Sequence, residues 1–205
     1  MITENSMIPK IIHYCWFGRN PLPELAQKCI ASWRKHLPDY EIWEWTEESP
    51  TPALPRREGE ESPKLFDKKL SFDVDTIPYT AEAYRQKKYA FVSDYARFWV
   101  LYKYGGIYFD TDVEVIRTMD DIIERGNFMG FEVDPDGENT PGRYAPRYCF
   151  AVNPGVGFGI SKEHPFIKRM LDYYAKLTFD SSPLSPWYKT IVAYTTEALM
   201  EEGLQ

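Results

Sequence analysis

The stretch YGGIYFDTDVEV, Tyr104 to Val115, decides the fold class. Gly105-Gly106 is a stop signal for the helix-patterned run before it. Ile107, Tyr108 and Phe109 are residue types that favour a buried strand. Three carboxylates, Asp110, Asp112 and Glu114, then fall at every second position. Strand side chains alternate, so residues two apart point the same way. If the extended geometry persists, Asp110 and Asp112 face one side of the strand end. Two like charges at the edge of a core need a counter-charge. A divalent cation supplies one, and oxygen-only ligands favour Mg2+ or Mn2+ over zinc. A pair of carboxylates is too few for a closed cage and suits a metal that also holds phosphates and water. The alternative is a solvated acidic strand end. Glu114 is read as a strand-face residue.

Spacing alone carries little weight. With 31 acidic residues in 205, about 5 acidic-x-acidic pairs arise by chance. Asp73-Val74-Asp75 has the same spacing and is read as a polar turn. Asp110 and Asp112 differ in following a core strand, and ligands of doubly wound sheets bind outside the carboxyl ends of strands.

Upstream, SDYARFWVLYKYGG (93–106) is predicted as a helix with Val92, Tyr95, Ala96, Trp99 and Val100 as its apolar stripe. Ser93 or Asp94 is expected to cap its start. Asp94 and Arg97 lie i, i+3 and share a face away from the stripe. Taken alone they read as a surface ion pair worth about 0.5 kcal/mol. A separate helix is expected over 79–91. KIIHYCWFG (10–18) is a continuous apolar run, as in a strand buried on both faces. Residues 23–37 follow with helical spacing and YEIWEW (40–45) alternates like a strand. Strand, helix and strand in that order open a Rossmann-like α/β sheet. Trp16 sits at the exit of the first strand, where an indole either stacks on a nucleotide base or packs into the core.

Downstream, VEV (113–115) is expected to resume the strand, Thr118–Glu124 to form a short helix and 127–133 a strand. YCFAV (148–152) and VGFGI (156–160) read as two short strands around an Asn153-Pro154-Gly155 turn. His164-Pro165 opens a helix, and a last helix runs to about residue 200. Residues 49–67, with four prolines and mixed charge, read as an exposed loop in which Arg56 and Arg57 are solvated. Residues 134–147 read as a second loop.

The net charge of −7 with no Lys/Arg cluster argues against a nucleic-acid partner. Cys15, Cys29 and Cys149 have no metal-ligand spacing; so few, in an odd number, point to reduced thiols and a cytoplasmic setting. No apolar run approaches the ~18 residues of a membrane span, and MITENSMIPK lacks a signal-peptide pattern. Peripheral association with the inner face of a membrane stays open.

Taken together, IPKIIHYCWFG, SDYAR and YGGIYFDTDVEV resemble the DXD-containing glycosyltransferases. These are the relatives of the yeast initiating mannosyltransferase and, more distantly, of the glucosylating domain of large clostridial toxins. The resemblance covers roughly 8–45 and 72–200. It implies a GT-A fold with a mostly parallel central sheet flanked by helices, in one catalytic domain over 1–205 with an insert at 49–67. It implies a UDP- or GDP-sugar donor, a glycan or glycolipid acceptor hydroxyl, Mn2+ (or Mg2+), retention of anomeric configuration and a role in cell-surface or capsular polysaccharide synthesis. By position, Trp16 would stack near the base, and Asp94 and Arg97 would bind the donor sugar and its surroundings. Asp110 would lie near ribose, sugar and metal waters, Asp112 would ligate the metal, and Asn153 would sit beside the sugar. Family members also carry a late His/Trp/Ser-rich segment that completes the metal and diphosphate site. The three histidines here, 13, 36 and 164, are too early to supply it, so a domain without that segment is expected. The rivals are a nucleotidyltransferase of related fold, for which CWFGRNPLP is a poor phosphate loop, and a non-catalytic nucleotide-sugar-binding domain.

Overall fold

The continuous apolar runs become the centre of a sheet. In the computed structural model, which describes residues 7–47, 66–132, 151–180, 182 and 190–203, β1 (Ile11–Cys15) is buried from Ile12 onward. It pairs in parallel with β2 (Glu41–Thr46) on one side and with β4 (Gly106–Tyr108) on the other. β3 (Lys68–Ser71) extends the parallel half from β2. On the far side, β6 (Ala151–Ile160) runs antiparallel to β4 and to the edge strand β5 (Phe128–Glu132). The order is β3-β2-β1-β4-β6-β5. Three of the five pairings are parallel, so the GT-A expectation of a mostly parallel α/β sheet holds, with an antiparallel half added.

Alternation along β1 and β4 divides the core into two layers. Ile12, Tyr14, Ile107 and Phe109 pack against α1 (Glu24–His36), around Ile30 and Trp33. Cys15, Tyr108, Trp43 and Trp45 face the other layer. It is built from α2 (Pro78–Arg85), α3 (Tyr89–Tyr104), α5 (Pro165–Tyr174) and α6 (Ile191–Glu201). The short α4 (Asp120–Ile123) precedes β5.

Four expectations are corrected. First, α3 starts at Tyr89, not at Ser93, because Lys87 adopts a left-handed φ of 58° and ends α2 just before it. Ser93 and Asp94 therefore lie inside the helix and do not cap it. Second, α3 has no solvated polar face at Asp94 and Arg97; both are buried. Third, VEV (113–115) is not a strand: Val113 N–H donates to Asp110 O at 3.1 Å, and this turn stops the extension. Fourth, 151–160 is one ten-residue strand. Asn153-Pro154-Gly155 passes through it without a turn, and the irregularity is a register shift opposite Met129/Gly130 in β5. The expectations for 49–65, Arg56 and Arg57, 134–147 and most of 148–152 fall outside the described residues.

One buried histidine joins three elements. His13 Nε2–H donates to Gly105 O at 2.8 Å, and His13 Nδ1 accepts from Trp45 Nε1–H at 3.1 Å. The ring also meets Trp43 edge-on at 5.3 Å. β1 is thereby tied to β2 and to the turn that ends α3. Gly105, at φ 64°, makes that turn without a Cβ penalty. Replacing the imidazole with an apolar side chain leaves a buried indole N–H and a buried carbonyl unpaired, at about 1–3 kcal/mol each. His13→Leu is therefore expected to lower the unfolding free energy by about 2–5 kcal/mol in urea melts. A change below 1 kcal/mol would show that neither bond matters.

Candidate active site

The chain turns back on itself at Gly105-Gly106, so the end of β4 comes to lie beside the middle of α3. Arg97 and Asp110, thirteen residues apart, meet there. Arg97 Nη1 donates to Asp110 Oδ2 at 3.2 Å, and Nη2 lies 3.2 Å from Asp110 Oδ1. Nη2 also donates to Asp94 Oδ1 at 3.3 Å, and Nε donates to Ser93 O at 3.2 Å. The guanidinium lies 4.6 Å from the centre of the Tyr108 ring, a cation–π contact. Its side chain is 4% exposed, against 38% for Asp110. The Asp110 carboxylate thus stands between a buried cation and solvent.

Burial works against the Arg97 charge, but Asp110, Tyr108 and Asp94 outweigh it and hold the guanidinium protonated, above its ordinary range. Burial raises the Asp94 pKa to about 7, with Arg97 pulling it down and Asp110 pushing it further up. Cys15, at the end of β1 on the same face, is pushed up to about 12 by burial, with Arg97 and a hydrogen bond to Tyr108 opposing. It is a thiol and part of the floor.

The antiparallel strand closes the site from the other side. Asp110 N–H donates to Gly155 O at 2.8 Å. A Cβ on Gly155 would collide with Asp110 Oδ2 and sit 2.9 Å from Arg97 Nη1. Only glycine lets β6 approach the pair so closely. Asn153 fixes that backbone, its Oδ1 accepting from Gly155 N–H at 2.8 Å.

Asp94, Arg97, Asp110 and Asn153 are thus gathered within one strand–helix junction. Trp16 and Asp112 flank it. Trp16 follows β1, and its Nε1–H donates to Asn20 O at 2.6 Å, which fixes a half-buried indole at the carboxyl edge. Asp112 is exposed, in the turn beyond Asp110. Residues 111 and 112 form a turn, closed by Val113 N–H donating to Asp110 O at 3.1 Å, so strand alternation does not carry through to Asp112. That part of the sequence reading is corrected, and the cause is the Asp110–Val113 turn. By contrast, Asp73 and Asp75 form the expected polar turn, with Asp75 N–H donating to Asp73 Oδ1 at 3.0 Å.

The residues suit a divalent cation of limited protein ligation. Asp112 offers an exposed carboxylate with no hydrogen-bond partner among the described residues, while both oxygens of Asp110 are engaged by Arg97. No group of three or more His, Cys, Asp or Glu side chains is arranged to hold a metal among the described residues. An all-oxygen set this sparse fits Mn2+ or Mg2+ sharing its shell with phosphate and water.

Sequence reasoning missed Tyr108 and Gly155. Tyr108 was accessible to it: two residues before Asp110 on a strand, it shares that side chain's face. Nothing in the sequence marks Gly155, because its role is to leave space.

The fold and the site together define a GT-A-type α/β protein. A family model described as the glycosyltransferase sugar-binding region containing a DXD motif matches residues 23–129, and the chain belongs to that family. The match includes Asp94, Arg97, Asp110 and Asp112, with Trp16 and Asn153 outside it. Inositol phosphoceramide mannosyltransferase 3 of Schizosaccharomyces pombe (strain 972 / ATCC 24843) is 29% identical over 86% of this chain and 40% of its own length. Inositol phosphoceramide mannosyltransferase 1 of the same organism is 25% identical over 84% of this chain and 44% of its own length. The chain thus spans less than half of these curated relatives. Among solved structures, PaToxG Glycosyltransferase superposes with a TM-score of 0.58 at 20% identity, over 95% of this chain and 70% of its own; that likeness shows the fold.

Two predictions concern this geometry. Gly155→Ala is expected to cost about 1–3 kcal/mol, as overpacking does, and most of that cost should vanish in an Asp110→Ala background. A double-mutant cycle with no coupling would remove the steric account. The second concerns acid. His13 is held neutral, its pKa lowered to about 4 by burial against the pull of Gly105 O. As pH falls from 6.5 to 4 the unfolded chain binds that proton first, so stability is lost. Over about 7 to 4 the folded chain binds the Asp94 proton first, so stability is gained. Each contributes about 1.4 kcal/mol per pH unit with opposite sign, and they offset. Asp94→Asn removes only the gain, so its melting midpoint should fall more steeply than wild type between pH 6.5 and 4. Parallel curves would contradict this.

Proposed function

We propose that the chain forms the donor-binding and catalytic core of a metal-dependent glycosyltransferase. It would move a hexosyl group from a nucleoside diphosphate sugar to an acceptor hydroxyl with retention of anomeric configuration. The observation that carries this reading is the buried Arg97 held between Asp94 and Asp110. It lies at the carboxyl edge where β1 and β4 diverge, the switch point at which such sheets bind ligands.

In the reaction the bond from the anomeric carbon to the terminal phosphate oxygen breaks, and the acceptor oxygen takes its place. Positive charge builds on the sugar ring and negative charge on the leaving diphosphate. Trp16 offers its indole face to the base, with the ring already fixed by its own N–H. Asp110, backed by Arg97, presents a carboxylate to the ribose and sugar hydroxyls without itself shifting. Arg97 supplies positive potential from beneath, in a low-dielectric setting where such preorganised charge counts most. Asn153 holds the Gly155 backbone beside the sugar. A divalent cation held by Asp112, with Asp110 beside it, would neutralise charge on the departing diphosphate.

Asp94 is a poor candidate for a covalent nucleophile. Its side chain is 10% exposed and engaged by Arg97. The geometry favours same-face attack by the acceptor, with the acceptor proton passing to the leaving phosphate oxygen. No glycosyl adduct on Asp94 is then expected in intact-mass spectra of the working enzyme.

The names of the two yeast relatives give mannosyl as the sugar they transfer and inositol phosphoceramide as its acceptor. On that basis we read the donor as a mannosyl or related hexosyl nucleotide and the acceptor as a glycolipid or cell-surface glycan. The free thiols Cys15 and Cys29 are in keeping with a reducing compartment. No helix among the described residues is long and apolar enough to cross a membrane.

The test is binding and slow hydrolysis of a panel of GDP- and UDP-sugars with Mn2+, in wild type and Asp112→Ala. Because Asp112 is exposed, the variant should fold with an unchanged melting midpoint and lose about 100-fold or more in turnover. If no donor binds wild type better than Asp112→Ala, the reading fails. Donor binding without any turnover would leave a binding domain in place of an enzyme.

A further inference from the structure

The loop that leaves β1 is held by a carboxylate that the reaction as described does not use. Glu47 lies one residue beyond β2, and its side chain is only 4% exposed. Its Oε1 accepts from Gly18 N–H at 2.9 Å and from Tyr84 O–H at 3.0 Å. Arg19 Nε lies 3.7 Å from the same oxygen. One buried atom therefore gathers the backbone of the loop, the side chain of the next residue and a tyrosine of α2.

The loop needs such a hold. Gly18 and Arg19 both adopt left-handed φ, at 96° and 62°. Arg19 does so despite its Cβ, a conformation that persists only when its surroundings impose it. Gly18 lies against the Tyr89 ring, where a Cβ would overlap the ring atoms. Two residues earlier stands Trp16, whose indole N–H closes the same loop onto Asn20 O. The Arg19 guanidinium remains 67% exposed. The turn thus presents an aromatic face and a cation from one short segment, at the edge where β1 gives out.

We propose that Glu47 is a positioning residue for donor binding. Its buried carboxylate fixes the Gly18–Arg19 turn, so that Trp16 and Arg19 are presented together to a nucleoside diphosphate. The inference rests on the donor-binding reading above and adds a residue outside both the DXD and SDYAR motifs. A carboxylate in this role attracts no anion itself. It acts by removing the conformational freedom that the loop would otherwise lose on binding. Glu47→Gln keeps the shape but exchanges the charged acceptor for a neutral amide, a weaker partner for the three donors.

The experiment is calorimetric titration of Mn2+-loaded wild type, Glu47→Gln, Tyr84→Phe and Arg19→Ala with UDP, GDP, uridine and guanosine, alongside their melting midpoints. For the diphosphate that wild type prefers, Glu47→Gln is expected to weaken binding about tenfold and Tyr84→Phe about threefold. Arg19→Ala should weaken the diphosphate more than the matching nucleoside. A purely structural Glu47 would lower the melting midpoint and leave the affinity of the folded protein unchanged; that result overturns the proposal while the donor reading stands. If Glu47→Gln does not fold, Tyr84→Phe decides: wild-type affinity overturns the proposal and weakened affinity supports it. If wild type binds neither diphosphate, the donor reading fails and this inference with it.

Discussion

The site depends on one buried guanidinium. Taking a cation out of water costs several kcal/mol unless partners surround it, and Arg97 is compensated from three parts of the chain. Asp94 comes from its own helix, Asp110 from the end of β4 and the Tyr108 ring from β4 itself. None of these can move without leaving a buried charge uncompensated. The guanidinium therefore fixes the distance between α3 and the end of β4, and with it the position of the carboxylate that faces solvent. His13 reinforces the same junction, since its bond to Gly105 O holds the turn joining the two elements.

The mixed sheet explains why the site lies where it does. On the parallel side, β1 and β2 deliver their loops to the carboxyl edge, so Trp16 and Glu47 arrive there with Asp110. On the antiparallel side β6 runs the other way and brings Asn153 and Gly155 to the same edge. An all-parallel sheet would place the start of a strand elsewhere, and Asp110 would lose its backbone partner at Gly155 O. The close approach then requires a residue without a side chain. Topology and the identity of residue 155 are thus linked by one steric condition.

Much of this was legible in the sequence, for physical reasons that can be named. The apolar run before Gly18, the helical spacing over 23–37 and the Gly105-Gly106 stop are local signals, and β1, α1 and the end of α3 follow them closely. Local signals failed where tertiary structure overrides them. Asp94 and Arg97 carry the sequence marks of an exposed ion pair, yet α3 is covered by β4, α5 and α2, so their burial comes from packing that no window of α3 reveals. The break at Lys87 rests on a left-handed residue that is not glycine, and lysine does not announce that conformation. Asn153-Pro154-Gly155 has turn composition but lies within a strand, because the register shift against β5 absorbs the irregularity. Gly155 and Glu47 are contacts between distant segments and leave no pattern in either.

The two aspartates of the DXD motif are chemically unequal, which bears on how their substitution should be interpreted. Asp110 is half-withdrawn and supplies counter-charge to a buried arginine. Its removal leaves Arg97 with Asp94 as its one carboxylate partner among the described residues, beside the Tyr108 ring. Asp110→Ala therefore disturbs stability and ligand binding together, and its effect on activity cannot be assigned to one of them. Asp112 is exposed, within the turn that follows, with no such structural duty among the described residues. Loss of activity in Asp112→Ala thus reports on ligand chemistry alone. Asp73 and Asp75 complete the comparison: the same two letters at the same spacing, spent on a surface turn. What separates the three cases is the buried cation that only Asp110 reaches and the open edge on which only Asp112 stands.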